Sequence, residues 1–149
     1  MINATRWLPR LAVVAACVPA AAVLPGMAHA TTFHQFASPS GNVSCGVGTQ
    51  DNGNAFAECE IRDRVWNSPP APADCPLSYG DRIGLYQGKQ PAFGCHGDTL
   101  YDPSSPILGY GQSYSQGPIS CLSQMSGITC SDSTTGHFFT ISREALNIG

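Results

Sequence analysis

Beyond residue 30 this sequence has no apolar run approaching the roughly 20 residues that a membrane-spanning helix needs, so the body of the chain offers no transmembrane span. It is also poor in charge. Residues 31–149 carry Arg62, Arg64, Arg82, Lys89 and Arg143 as their basic residues against ten acidic ones, and these form no basic stripe. Nucleic acid is therefore not an expected partner. No two cysteines of this stretch stand at the short spacing of a zinc-ligand pair, so neither metal nor cofactor is expected. A sustained helical period is missing, which argues against a helix bundle. A nucleophile elbow is missing too, since Gly111-Gln112-Ser113-Tyr114-Ser115 lacks the second glycine.

What is present begins with a secretory pattern. Arg6 and Arg10 precede a charge-free run from Leu11 to Leu24, and Ala28-His29-Ala30 then supplies small residues for cleavage before Thr31. Residues 1–30 are thus expected to be a cleavable signal peptide, and residues 31–149 a single disulfide-rich domain in the extracellular space or cell envelope. Val14-Ala15-Ala16-Cys17 offers an alternative, a lipobox that would anchor the protein through an acylated Cys17. The short apolar stretch before Cys17 and the apolar residues after it favour cleavage at Ala30.

Export sets the redox compartment. Cys45, Cys59, Cys75, Cys95, Cys121 and Cys130 are an even set in an oxidising setting, which implies three disulfides. Sequential pairing, Cys45–Cys59, Cys75–Cys95 and Cys121–Cys130, is favoured among the possible connectivities.

Glycine and proline recur between short runs rich in Val, Ile, Phe and Tyr, the pattern of an all-β or β-rich chain. Strands are expected near 43–49, 55–61, 83–87, 91–95, 106–110, 117–123, 127–131 and 137–142. Together they suggest a disulfide-stapled meander of hairpins closing into a sheet, sandwich or partial barrel. A short C-terminal helical turn over 142–146 would take Ser142 as its N-cap. The prolines of segment 67–74 cannot feed a ladder, so it reads as a stiff internal connector.

One hairpin can be registered in advance. Gly53 suits the left-handed position of a three-residue loop, and counting outward from Gln50 opposite Asn54 sets Cys45 opposite Cys59. Cys45, Val47, Ala57, Cys59 and Ile61 then share a core face, while Phe56, Glu58, Glu60 and Arg62 share a wet face with Gly46 and Gly48. Phe56 is expected to cover Gly48. A bridge closing a loop of this size stabilises by about 3 kcal/mol in the chain-entropy picture. For Cys121 and Cys130, direct opposition would need Met125-Ser126 as a two-residue turn, whereas a turn using Gly127 would shift the register by a step.

Short strings in order carry a family resemblance: Ser38-Pro39-Ser40-Gly41-Asn42, Cys59-Glu60-Ile61-Arg62-Asp63-Arg64, Ala73-Asp74-Cys75-Pro76-Leu77, Gly97-Asp98-Thr99, Tyr110-Gly111-Gln112-Ser113, Gly127-Ile128-Thr129-Cys130 and Thr135-Gly136-His137. Together they resemble an uncharacterised family of small secreted, six-cysteine actinobacterial domains. The resemblance implies no chemistry. His96 departs from that pattern, which has a small residue after the cysteine.

Candidate chemistry is sparse. His96 and Asp98 could form a base or ligand pair, against a plain loop in which Asp98 makes an Asx-turn. His137 stands in a hydroxyl-rich turn, against a histidine that merely bonds a loop carbonyl. Glu58 and Glu60 could work as paired carboxylates, against a solvated stripe beside Arg62. Asn42-Val43-Ser44 fits a glycosylation sequon, which has little force where the resemblance points to bacteria. Trp66, Tyr79, Tyr86, Tyr101, Tyr110 and Tyr114 supply rings for a binding surface or for the core.

These features point to a non-enzymatic binding or structural module, its partner an envelope or extracellular protein or a glycan. The alternatives are a small secreted hydrolase using His137 or His96, and an inhibitor presenting a disulfide-bound loop such as 76–94.

Overall fold

The computed structural model describes residues 31–149. The signal features, from Arg6 through the Ala28 and Ala30 cleavage residues, and the alternative anchor Cys17 lie outside the described residues. Ten strands form two antiparallel sheets, with no helix among the described residues.

The first sheet is a meander of β1 (Phe33–Ala37), β2 (Val43–Thr49), β3 (Ala55–Ile61), β4 (Arg82–Tyr86) and β5 (Ala92–Phe93) in chain order. The second repeats that plan with β6 (Ser113–Gln116), β7 (Ile119–Gln124), β8 (Gly127–Asp132), β9 (Phe138–Ile141) and β10 (Leu146–Ile148). Each sheet turns one alternating face inward. Val47, Ala57, Ile61, Ile83 and Leu85 of the first meet Ile119, Ile128, Phe139 and Ile141 of the second. The alternation follows from side chains pointing to opposite faces along a strand.

All three disulfides join the cysteines in sequential pairs. In each sheet one of them crosses the second and third strands between directly opposed residues, Cys45 with Cys59 and Cys121 with Cys130. Their Cα separations of 4.1 and 4.0 Å belong to the narrow pairs of an antiparallel ladder. The two bridges are fully buried and meet across the core, where Cys59 Sγ lies 3.8 Å from Cys130 Sγ.

The β2–β3 hairpin has the expected register, with Gln50 N donating to Asn54 O and Gly53 at φ 82°. In the β7–β8 hairpin the register is unshifted and Met125-Ser126 form the turn. Neither has positive φ. Gly127 takes up the distortion at φ 131°, and a side chain there would run into the Ile141 carbonyl.

The structure departs from expectation in three places. β1, β6 and β10 were not anticipated, and all three are edge strands. Residues 106–110 form no strand, but make a single parallel bridge from Ile107 to Ala37 that caps the open edge of β1. The segment 142–146 is no helical turn. Ser142 N and Oγ both donate to Ala145 O, Ala145 N donates back to Ser142 Oγ, and the chain reverses into β10. The hydroxyl still behaves as a cap, but the bonds close a hairpin turn because Leu146 pairs with Ile141.

Candidate functional site

The outer face of the first sheet is not simply wet. Registry sends Phe33 and Gln35 of β1, Gly46 and Gly48 of β2, Phe56, Glu58 and Glu60 of β3, and Arg82, Gly84 and Tyr86 of β4 to this side. One half is roofed by residues 96–101 and the other carries aromatic rings.

Arg82 organises the roofed half. It is only 5% exposed, and its guanidinium donates to Glu60 Oε2 at 2.7 Å, to Asp98 Oδ1 at 2.9 Å and to the Asp98 carbonyl at 3.1 Å. Glu60 also accepts from Thr99 Oγ1 at 2.6 Å and from Leu100 N at 2.9 Å. Burial works against the Glu60 charge, but these donors outweigh it and hold the carboxyl below its ordinary range. Asp98 is held down by its hydrogen bond from Arg82. Glu60 is therefore a strut that pins the roof to β3, and not half of a solvated stripe or of a carboxylate pair. Asp98 forms no Asx-turn; Asp102 does, accepting from Ser104 N at 2.8 Å.

His96 is 8% exposed and does not pair with the Asp98 side chain. Its Nδ1 lies 2.7 Å from the Asp98 carbonyl oxygen and its Nε2 lies 3.0 Å from Asp81 Oδ1. Both partners accept hydrogen bonds, so the doubly protonated imidazolium satisfies both nitrogens. Burial opposes that charge, yet the bond to Asp81 wins and raises the His96 pKa. An imidazolium committed on both sides has no lone pair to offer as a base. His137 lies on the other sheet, entering β9. Its backbone carbonyl accepts from Asp132 N, and its ring has no hydrogen-bond partner among the described residues. The two histidines are not brought together. Among the described residues no group of three or more His, Cys, Asp or Glu could hold a metal ion. Segment 76–94 is not a free loop, since it contains the buried strand β4.

The uncovered half carries Phe33, Phe56 and Tyr86. Ring centroids are 6.2 Å apart for Phe33–Phe56 and 5.8 Å for Phe56–Tyr86, with interplanar angles of 17° and 18°. Phe33 and Phe56 start two strands apart, a span of about 10 Å at normal strand spacing. Their rings come this close because Phe33 leans over Gly46, where a Cβ would collide with its ring. Tyr86 leans over Gly84 in the same way. The rings therefore pack as a near-parallel series of three on the sheet, where glycine leaves room. Phe33 is 51% exposed. Phe56 sits opposite Gly48 as expected, but it does not cover that glycine; the backbone carbonyl of Thr32 does.

The floor has a polar border. Tyr86 Oη donates to Glu58 Oε1, whose other oxygen lies 4.0 Å from Arg82 Nη1. Burial and the Glu58 carboxylate both push the Tyr86 phenol well above its usual pKa, so it stays neutral. Gln35 reaches toward the Leu100 carbonyl at 3.4 Å beside it. Of the rings named from sequence, only Tyr86 belongs to this surface. Trp66 and Tyr114 pack against the core, and Tyr79 packs on Phe93. Phe33 was missed because its strand was missed; the signal was the alternation of glycines Gly46, Gly48 and Gly84 opposite aromatic positions.

A family model described as a family of unknown function (DUF6636) matches residues 15–147. No curated protein and no solved structure matches the chain.

Proposed function

The chain belongs to DUF6636, a family of unknown function, and from that premise we propose that it is a non-enzymatic binding module, working outside the cytoplasm, that docks a glycan on the Phe33–Phe56–Tyr86 floor. The contiguous, near-parallel packing of the three rings beside an exposed edge carries this reading. A pyranose ring presents a flat face of C–H groups bounded by hydroxyls. Exposed aromatic surface buries such a face, and rings fixed in advance by packing on one another lose little conformational freedom on binding. Glu58 and Gln35 at the border supply an acceptor and an amide for the hydroxyls.

Three disulfides, two of them fully buried, suit an oxidising compartment. Among the described residues no helix is long and apolar enough to cross a membrane. The engaged imidazole of His96 and the lone ring of His137 supply no catalytic pair, so recognition is favoured over hydrolysis.

Cosedimentation of the purified oxidised protein with insoluble cell-wall polysaccharides tests the reading. Saturable binding that falls at least tenfold in Phe56→Ala, with an unchanged melting temperature, is the expected result. No retention on any polysaccharide, or equal retention of Phe56→Ala, would rule it out.

A further inference from the structure

At the opposite end of the first sheet, where β2 begins and β3 ends, the chain builds a second and separate surface. Arg62, Asp63, Arg64, Trp66, Asn67 and Arg143 line a cleft of about 470 Å³. Three of the five basic residues of 31–149 thus converge on one cleft in a domain with twice as many acids as bases. Such focusing of one sign within an oppositely charged molecule is an electrostatic feature in its own right.

The backbone holds these arginines in place. Arg62 N donates to Asn42 O at 3.1 Å, and Asn42 clamps the next residue by accepting from Asp63 N and donating to Asp63 O, both at 2.9 Å. Val65 N donates to Arg143 O at 2.9 Å and Trp66 Nε1 to Ser142 O at 2.8 Å, which draws the strand-end arginines beside the β9–β10 turn. Arg62 Cζ lies over the Tyr101 ring at 3.1 Å from its centroid and Arg64 Cζ over Trp66 at 5.0 Å. Stacking fixes the plane of a guanidinium while leaving its edge donors free.

Every ion pair among the described residues involves Arg82 or His96. Arg62, Arg64 and Arg143 therefore have no carboxylate within 4.0 Å. The nearby acids are Asp63 in the cleft wall, Glu144 beside Arg143, and Asp81, which is held by His96.

We propose that this cleft is a binding site for a phosphate monoester. One carboxylate would match a single guanidinium fork. Three arginines lining one cleft match a dianion with three equivalent oxygens. The site lies apart from the aromatic floor and does not depend on it.

Calorimetric titration of the oxidised protein with inorganic phosphate, at ionic strength held constant with chloride, is the test. One saturable site is expected, weakened at least tenfold in Arg64→Gln and in Arg143→Gln, and unchanged in Lys89→Gln, which removes the same charge at the far end. Phe56→Ala is expected to leave phosphate affinity intact. The ester is then identified with a soluble sugar phosphate and with phosphatidic acid vesicles against phosphatidylcholine vesicles; arginine-dependent binding of either supports the site and names the source. Equal weakening by Lys89→Gln, absence of saturation, or capture of inorganic phosphate with neither ester would overturn the proposal.

Discussion

Asp132 Oδ2, at the end of β8, accepts a hydrogen bond from Gly88 N in the β4–β5 turn at 2.7 Å, which ties the two sheets together through a fully buried carboxylate. Its other oxygen accepts from Thr134 N at 2.8 Å and Thr134 Oγ1 at 2.6 Å. Burial opposes the charge, but these donors outweigh it and hold the Asp132 pKa below its ordinary value. Asp132→Ala removes the acceptor that the amides of Gly88 and Thr134 share. A loss of about 2–4 kcal/mol is expected in urea unfolding, with the larger part recovered in Asp132→Asn.

Stability is expected to fall in acid. Asp132, Glu60, Asp81 and Asp98 all have folded pKa values below their ordinary values of 3.8 to 4.5. Groups of this sign contribute fully above the unfolded pKa, and the contribution disappears as pH falls through the lower folded values. Denaturant midpoints measured from pH 6 downward should therefore drop below about pH 4.5.

His96 has the opposite sign. Its pKa is raised above the ordinary value of 6.5, so its contribution is complete below about 6.5 and is lost as pH climbs through the raised folded value. His96→Gln should remove that alkaline slope while leaving the acid limb in place. Nitrogen NMR of the imidazole offers a direct check: both ring nitrogens should remain protonated at pH 6.5.

Glycines of β2 should separate platform from fold. Gly46→Ala meets only the far end of the Phe33 ring, so the ring is displaced and the floor broken, with a melting temperature close to the parent. Gly48→Ala meets the Thr32 carbonyl, part of the backbone, and must move β1 itself. A cost of about 1–3 kcal/mol is expected for the second variant alone. Thermal unfolding and polysaccharide cosedimentation of the pair would distinguish the two effects.

The disulfides should open in a defined order. Cys75 is half-buried and Cys95 exposed, whereas the other four cysteines are fully buried. Mild reductant under native conditions should release Cys75 and Cys95 to alkylation first, and the remaining pairs only on unfolding. Peptide mass mapping after timed alkylation reports this directly; simultaneous release of all six would contradict it.

The central strands were legible from the residues because each is an alternating apolar run between turn signals, and Cys45 opposite Cys59 followed from loop chemistry at Gly53. Edge strands were not. Ser113–Gln116 is a polar run, and Leu146–Ile148 is too short to show a period; both are strands only because a neighbour offers a ladder. The same limit applied to the site. His96 and Asp98 are two residues apart, yet the acid that meets the imidazole is Asp81, and Asp98 turns to Arg82.

By itself the sequence determined the β class and one hairpin register, since each depends on local geometry that turns and spacings dictate; it favoured the sequential disulfides without fixing them. Tertiary structure alone decided that the sheets stack into a sandwich with two bridges in contact, that Arg82 is buried under a roof, and that three rings from separate strands pack on one another. Those relationships join residues far apart in the chain, and nothing local specifies them. The glycines that make room for the rings are visible in the sequence, but what fills the room depends on which strand comes to lie beside them.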